Sequence, residues 1–261
     1  MPYIKHGGAR LYYEEQGMGT ALFFLHGAAW DRRQWARQIA YFSTSYRVIT
    51  PDARGHGKSD LPPGEVQPDA FYRDVLALMD HLNIERAILC GLSLGGHTAI
   101  QTAIHAPDRV ERLILIGAPC SNQFNLYERI CVPINRACLK MMPMSWTAWC
   151  LGAALGQSGP ENRAYVEDVV GRMNHDYFNR TWKAATSMES RGRLCEIKCP
   201  TLILIGDHDT LTARQQPFIH RSIAGSRLVT ISNAHHGTNL DNPEQVEQEI
   251  NCFLSENFAC S

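Results

Sequence analysis

A serine flanked by glycines follows a short apolar run in the segment ILCGLSLGGHTAI, residues 88–100. The run before the serine is typical of a buried strand, and the residues after it are typical of an apolar helix. A serine in such a turn is forced towards positive φ, and neighbours without a Cβ atom avoid a collision there. The segment therefore predicts that Ser93 lies on a strained turn from a strand into a helix.

Short β-type runs alternate with helical stretches along most of the chain. Beyond an N-terminal hairpin at residues 3–15, strands are predicted at residues 21–26, 47–51, 87–90, 112–116, 199–206 and 227–232. Helices are predicted at residues 34–42, 68–82, 94–105 and 243 to about 257. Strands that alternate with helices indicate an α/β fold with a mostly parallel sheet flanked by helices.

The alternation stops over residues 121–193, which are rich in Met, Trp and Cys and contain no β run. We expect a helical cap, or lid, inserted into a core domain made of residues 1–120 and 194–261. Residues 141–160 carry no charge over 20 positions, but two prolines and three glycines interrupt them. They predict a buried or pocket-lining helix rather than a transmembrane helix.

Charge and cysteine content limit the classes of partner. The formal charge of −1 and the pI near 6.8 give no basic stripe for nucleic acid. Nine cysteines without a C-x-x-C pair, behind an N-terminus unlike a secretory signal, favour reduced thiols in the cytoplasm. We expect no metal, cofactor, nucleic-acid or membrane partner, and a monomer or homodimer.

A second strand ends in FFLHGAAW, residues 23–30. A His-Gly pair after a buried strand suits a loop that approaches the nucleophile. The backbone N–H groups of Ala28 and Leu94 are then predicted to form an oxyanion hole at the start of the helix after Ser93. We interpret His26 as a structural histidine that shapes this loop.

Serine needs a general base, and that base needs an orienting carboxylate. In open α/β sheets such groups gather beyond the carboxyl ends of the strands. Two predicted strands lead into suitable segments, Asp-His-Asp at residues 207–209 and Asn-Ala-His-His at residues 233–236. The residues alone leave open which aspartate and which adjacent histidine act.

The chain resembles the α/β-hydrolase family through HGAAW, DARGHGKSD at residues 52–60, GLSLGG, GDHD and HHGTNLDNPEQV, in the order Ser, Asp, His. The resemblance covers nearly the whole chain outside the cap. It implies that Asp209 is the acid, because the family's acid follows the strand-closing glycine by three residues. It also implies that His236 is the base, because the family's histidine precedes an acidic-x-Pro segment by five residues, here residues 241–243. The loop at residues 52–60 is structural in similar proteins.

The resemblance implies a catalytic triad that cleaves a carboxylic ester or lactone. Residues 62–96 are similar to those of small carboxylesterases and 3-oxoadipate enol-lactonases. Enol-lactone hydrolysis, carbon–carbon bond hydrolysis, perhydrolysis and a non-catalytic small-ligand receptor stay open as alternatives. An acidic substrate would need basic side chains, which the cap offers at Arg129, Arg136, Lys140, Arg163, Arg172 and Lys183.

Apolar side chains of the cap are either its core or the wall of an acyl pocket. For a small, largely apolar substrate we predict contacts with Trp30, Met144, Trp146 and Trp149. His97, on the helix after the nucleophile, is interpreted as a buried packing residue.

Overall fold

The computed structural model describes residues 2–155 and 159–256. Within these residues, eight strands form one sheet. In chain order they are β1 (Tyr3–His6), β2 (Ala9–Gln16), β3 (Ala21–Leu25), β4 (Arg47–Pro51), β5 (Ala87–Leu92), β6 (Val110–Ile116), β7 (Thr201–Gly206) and β8 (Arg227–Ile231). Across the sheet the order is β1, β2, β4, β3, β5, β6, β7, β8. The pairs β1–β2 and β2–β4 are antiparallel and the others are parallel, which confirms the predicted sheet.

Helices connect the strands as the alternation predicts. They are α1 (Ala36–Phe42), α2 (Ala70–His81), α3 (Leu94–His105), α4 (Leu126–Met141), α5 (Met144–Leu155), α6 (Pro160–Gly171), α7 (His175–Ala185), α8 (Gln216–Ser222), α9 (Thr238–Asp241) and α10 (Pro243–Ser255). The sequence analysis missed α8 and α9, because helices of seven and four residues are too short to show a repeated apolar face. Residue 257, the predicted end of the last helix, lies outside the described residues.

The sheet separates two apolar cores. Alternate side chains of a strand point to opposite faces, so Phe23 and Leu89 enter one core while Phe24 and Cys90 enter the other. The first core also holds buried residues of α3, among them Ile100 and Ala103, and the second is shared with α6 through Val170. Strand β5 is buried along its full length and lies between β3 and β6, so the turn after it is near the middle of the sheet's edge.

Four helices, α4 to α7, lie between β6 and β7, in the segment where a helical block is predicted. We call residues 121–193 the cap. An isolated antiparallel bridge between Ser121 and Glu189 joins its two ends. In the part of the chain that the structure describes, no helix is long and apolar enough to cross a membrane.

Three histidines are buried close to the turns that carry the site. His26 is 2% exposed, His56 is 2% exposed and His97 is 1% exposed. Burial, together with the neighbouring charge of His26, lowers the pKa of His56 to about 3. Burial alone lowers the pKa of His97 to about 3. Both rings are therefore neutral in the folded protein at any pH well above 3.

Because these histidines are buried and neutral, we expect the free energy of unfolding to fall in mild acid. Below about pH 6.5 an unfolded histidine takes up a proton that the folded chain refuses, so stability is lost as the pH falls from about 6.5 towards 3. His56 and His97 together are expected to lower the free energy of unfolding by up to about 4 kcal/mol between pH 7.5 and pH 5. Urea unfolding at the two pH values measures the difference.

A non-titrating His97→Gln variant should lose about half of this pH dependence. The matched control is His208→Gln, because the His208 side chain is 59% exposed. A wild-type chain equally stable at both pH values would contradict this prediction, because it would show that the folded protein binds as many protons at pH 5 as the unfolded chain.

Candidate active site

Ser93 occupies the turn between β5 and α3 with φ 53° and ψ −112°. Its N–H donates to the carbonyl oxygen of Ile116 at 3.0 Å, which ties the turn to the end of β6. The predicted positive φ is confirmed. A Cβ atom on Gly95 would collide with the carbonyl oxygen of Leu25, and one on Gly91 would collide with the backbone of Gly95. Glycine is therefore required by close backbone approach as well as by the turn.

The loop after β3 is held by two histidines. The N–H of Ala53 donates to Nε2 of His26 at 2.9 Å, and the N–H of Ala29 donates to Nε2 of His56 at 3.1 Å. The Nδ1 atom of each ring lies against a backbone carbonyl, that of Gly27 at 2.8 Å or of Arg54 at 2.9 Å. His26 therefore has the contacts expected of a histidine that shapes the loop.

The two backbone donors predicted for the oxyanion hole remain available, and the Ala28 side chain packs against the apolar cluster that contains Leu94. Across residues 2–155 and 159–256, the N–H groups of Ala28 and Leu94 donate to no protein acceptor. Ala28 and Ser93 are both partly exposed, whereas Leu94 is buried. Leu94 is also the first residue of α3, where the helix dipole presents its positive end.

The structure pairs Asp209 with His236. Oδ2 of Asp209 lies 2.9 Å from Nδ1 of His236, and both residues are buried. Oδ1 of Asp209 accepts the N–H groups of Leu211 at 2.7 Å and Thr212 at 3.1 Å, while the Thr212 hydroxyl donates to Oδ2 at 2.9 Å. Burial by itself would raise the pKa of the Asp209 carboxyl, but the hydrogen bonds from His236 and Thr212 hold it below its usual value.

The alternative aspartate and histidine have other partners. Asp207 accepts the N–H groups of Asn233 and Ala234, both at 3.0 Å. These bonds hold the pKa of the Asp207 carboxyl below its usual value and brace the loop that leads to His236. The N–H of His235 donates to Asp241 at 2.8 Å. The two adjacent candidates thus face different neighbours, which a linear sequence does not reveal.

Gly117, at the end of β6, lies between the serine turn and the acid–base pair. A Cβ atom there would be 3.2 Å from Oδ2 of Asp209 and 3.3 Å from Nδ1 of His236. The preceding residue is Ile116, which accepts the Ser93 N–H. All three candidate residues therefore surround the carboxyl end of β6. Among the described residues no hydrogen bond joins the Ser93 hydroxyl to His236, and such bonds are often long in the absence of substrate.

The four predicted substrate contacts do not share one environment. Trp30 is 1% exposed and packs edge-on against Tyr165, with ring centroids 6.0 Å apart. Met144 packs against the second core. Trp146 and Trp149 are 69% and 61% exposed, so neither is a core residue of the cap, and the pocket-lining alternative stays a prediction for both. Substrate contact by any of the four stays a prediction.

The sequence analysis did not identify the residues that hold the loop carrying Asp209 in place. Besides Thr212, these include Gln215, whose side chain accepts the Cys120 N–H at 3.0 Å and donates to the Ser121 carbonyl at 2.8 Å. Arg214 donates to Glu128 of α4 at 2.7 Å. The sequence does contain one signal for these contacts, the Asp-x-x-Thr spacing from residue 209 to residue 212. An aspartate commonly accepts hydrogen bonds from backbone N–H groups two or three residues further along the chain.

His97 is buried as predicted, with Nε2 3.0 Å from the Ser190 hydroxyl. All eight cysteines of the described ranges are free thiols. Those ranges also hold no group of three or more His, Cys, Asp or Glu side chains that could hold a metal ion.

The sheet order, the strained serine after β5 and the Asp209–His236 pair after β7 and β8 define the α/β-hydrolase architecture. A profile of the Alpha/beta hydrolase family matches residues 22–249. The chain belongs to this family, and this membership supports an enzyme that hydrolyses its substrate.

Several known proteins with similar sequences or structures are named as lactonases or esterases. A 3-oxoadipate enol-lactonase of Acinetobacter baylyi is 28% identical, over 90% of this chain and 88% of that protein. The carboxylesterase YbfK of Bacillus subtilis is 25% identical, over 90% of this chain and 80% of that protein. The crystal structure of the enol-lactonase from Burkholderia xenovorans superposes with a TM-score of 0.90 at 28% identity, covering 98% of this chain and 100% of that chain.

Proposed function

We propose that the protein is a serine hydrolase that cleaves a carboxylic ester or lactone through an acyl-enzyme intermediate. The observation that carries the proposal is the position of Ser93, strained at φ 53° beside the buried Asp209–His236 pair. Among the described residues the Ser93 hydroxyl has no hydrogen-bond partner, and a strained serine at the same strand end as a carboxylate-oriented imidazole has the arrangement that acyl transfer needs.

In the proposed mechanism, Oγ of Ser93 attacks the carbonyl carbon while Nε2 of His236 accepts the hydroxyl proton. Asp209 holds the proton on Nδ1 of His236, so that Nε2 is the basic atom. The N–H groups of Ala28 and Leu94 donate to the oxyanion, a contribution of about 3 kcal/mol per donor in comparable sites. His236 then protonates the leaving alcohol, which stays attached to the acyl group if the substrate is a lactone. Water releases the acyl group by the same route.

The cap's basic residues favour a small, largely apolar substrate over an acidic one. Arg163 and Arg172 pair with carboxylates of their own helix, and Lys183 pairs with Glu65. Arg136 donates to the hydroxyls of Thr186 and Ser187 and to the carbonyl of Lys183. Four of the six basic residues that an acidic substrate would need are therefore already engaged.

The small ester or lactone is the only partner we propose for this site. The free thiols support a cytoplasmic location, where thiols stay reduced.

A substrate panel tests the proposal. We expect short p-nitrophenyl esters and neutral lactones to be hydrolysed at more than about 1 per second, with stoichiometric labelling of Ser93 by a fluorophosphonate. Hydrolysis of 3-oxoadipate enol-lactone without measurable ester hydrolysis would instead show that the acidic lactone is the substrate. Tight ligand binding with neither labelling nor turnover would show a receptor. Product analysis separates ester cleavage from carbon–carbon cleavage and perhydrolysis.

A further inference from the structure

The first cap helix, α4, exposes its apolar side. Tyr127, Ile130, Ile134 and Met141 recur at three-, four- and seven-residue intervals and are 68%, 54%, 57% and 87% exposed. The opposite side of α4 carries the buried residues Glu128 and Leu139. This reverses the usual arrangement, in which a surface helix buries its apolar stripe.

Helix α5 also exposes large apolar side chains, those of Trp146 and Trp149. Ten large apolar side chains are exposed among the residues that the structure describes, and seven of them lie on α4 and α5. We call these seven the cap apolar face: Leu126, Tyr127, Ile130, Ile134, Met141, Trp146 and Trp149. Proteins that stay free in water rarely concentrate exposed apolar surface in this way, so the face needs a partner.

The exposed charges that α4 itself places beside this face are positive. Arg129 and Lys140 are exposed on α4, and no salt bridge involves either of them within the described ranges. The acidic residue of α4, Glu128, is buried and paired with Arg214. On a helical projection Arg129 and Lys140 fall together on one flank of the apolar side.

We propose that the cap apolar face docks onto a membrane surface that contains anionic lipids. An apolar helix side with tryptophans and flanking cations is typical of segments that lie in the interface of a bilayer. A two-fold dimer through this face would bring the same patch of each copy together, so that its cations would oppose like charges. The proposal goes beyond the proposed hydrolysis and replaces the expectation of no membrane partner.

Cosedimentation of the full chain with vesicles tests this docking. We expect binding to phosphatidylcholine vesicles that contain phosphatidylglycerol, and binding at least about 10-fold weaker to phosphatidylcholine alone or at high salt. The double variant Ile130→Ser/Ile134→Ser should weaken binding to the anionic vesicles at least about 10-fold, because it removes apolar surface from the interface. Arg129→Glu/Lys140→Glu should weaken the same binding by a similar factor.

Matched controls lie outside the cap. Met18→Ser removes a side chain that is 85% exposed in the turn between β2 and β3, and Arg221→Glu reverses an exposed charge on α8. Both should bind vesicles like the wild type, and thermal unfolding verifies that every variant is folded. Ser93→Ala should also bind normally, so the docking and the hydrolysis can fail separately.

Two outcomes would overturn the docking. One is a lack of vesicle binding that depends on the face, seen either as no binding of the wild type to anionic vesicles or as Met18→Ser losing as much binding as Ile130→Ser/Ile134→Ser. The other is a dimer in sedimentation equilibrium that Ile130→Ser/Ile134→Ser dissociates while vesicles stay unbound, which would assign the face to a second copy of the chain.

Discussion

Ser93→Ala is expected to lower kcat for ester hydrolysis by about 1,000,000-fold, the order of loss seen when a triad serine is removed. Without the hydroxyl no acyl-enzyme forms, and only the oxyanion donors and binding contribute. The variant should also lose fluorophosphonate labelling. Its stability should hardly change, because alanine at φ 53° suffers the same strain as serine.

Ser93→Gly separates the strain from the chemistry. This variant should be as inactive as Ser93→Ala, because it also lacks the hydroxyl. Since glycine adopts positive φ without a Cβ penalty, its free energy of unfolding in urea should exceed that of Ser93→Ala by about 1 kcal/mol. Such a gain would show that the protein accepts reduced stability to hold the serine in its turn. Equal stability of the two variants would contradict this account of the strain.

Ser190→Ala is the matched control for the nucleophile. Ser190 also contacts a histidine, with its hydroxyl 3.0 Å from Nε2 of His97. Ser190 is 2% exposed and burial lowers the pKa of His97 to about 3, so this pair is a poor candidate for proton transfer to a substrate. We expect kcat within a few-fold of wild type. Full activity in Ser93→Ala together with loss in Ser190→Ala would move the nucleophile to residue 190.

The elements that carry the site were predictable because their signals are local. Glycine spacing around Ser93 and the apolar runs before it gave the turn between β5 and α3, and α3 has the predicted bounds. Local patterns also located the segments that hold Asp209 and His236. The partner of each side chain depends instead on tertiary approach, as when β8 brings Asn233 and Ala234 to Asp207 and leaves Asp209 for His236.

The sequence predicted that residues 121–193 are helical, but not which side of each helix faces the core. An apolar periodicity shows that a helix has two unlike sides, but it does not show which side meets the core. The sequence therefore left the tryptophans at positions 146 and 149 open as cap core or pocket wall, and their exposure excludes the cap core. In contrast, Trp30 was expected at the substrate and fills the second core, because helix α6 brings Tyr165 against it.

Asp209→Asn is expected to lower kcat for ester hydrolysis by about 10,000-fold at neutral pH, the effect of this change in a comparable triad. An amide can donate to Nδ1 of His236, which moves the ring proton to Nε2 and removes the atom that must accept the Ser93 proton. The backbone N–H groups of Leu211 and Thr212 that now bond Oδ1 can still bond the amide oxygen, and the Thr212 hydroxyl can rotate to accept from the amide nitrogen, so the fold should survive. Kinetics at neutral pH and thermal unfolding measure the two effects.

Asp207→Asn supplies the discriminating control, since it makes the same chemical change two residues away. The Asp207 carboxylate accepts backbone N–H groups of Asn233 and Ala234 and does not contact His236 among the described residues. An asparagine oxygen keeps one of these bonds, so the loop holding His236 should stay in place and activity should fall no more than about 10-fold. A reversed pattern, with Asp209→Asn active and Asp207→Asn dead, would show that residue 207 swings inward to serve as the acid when substrate is bound.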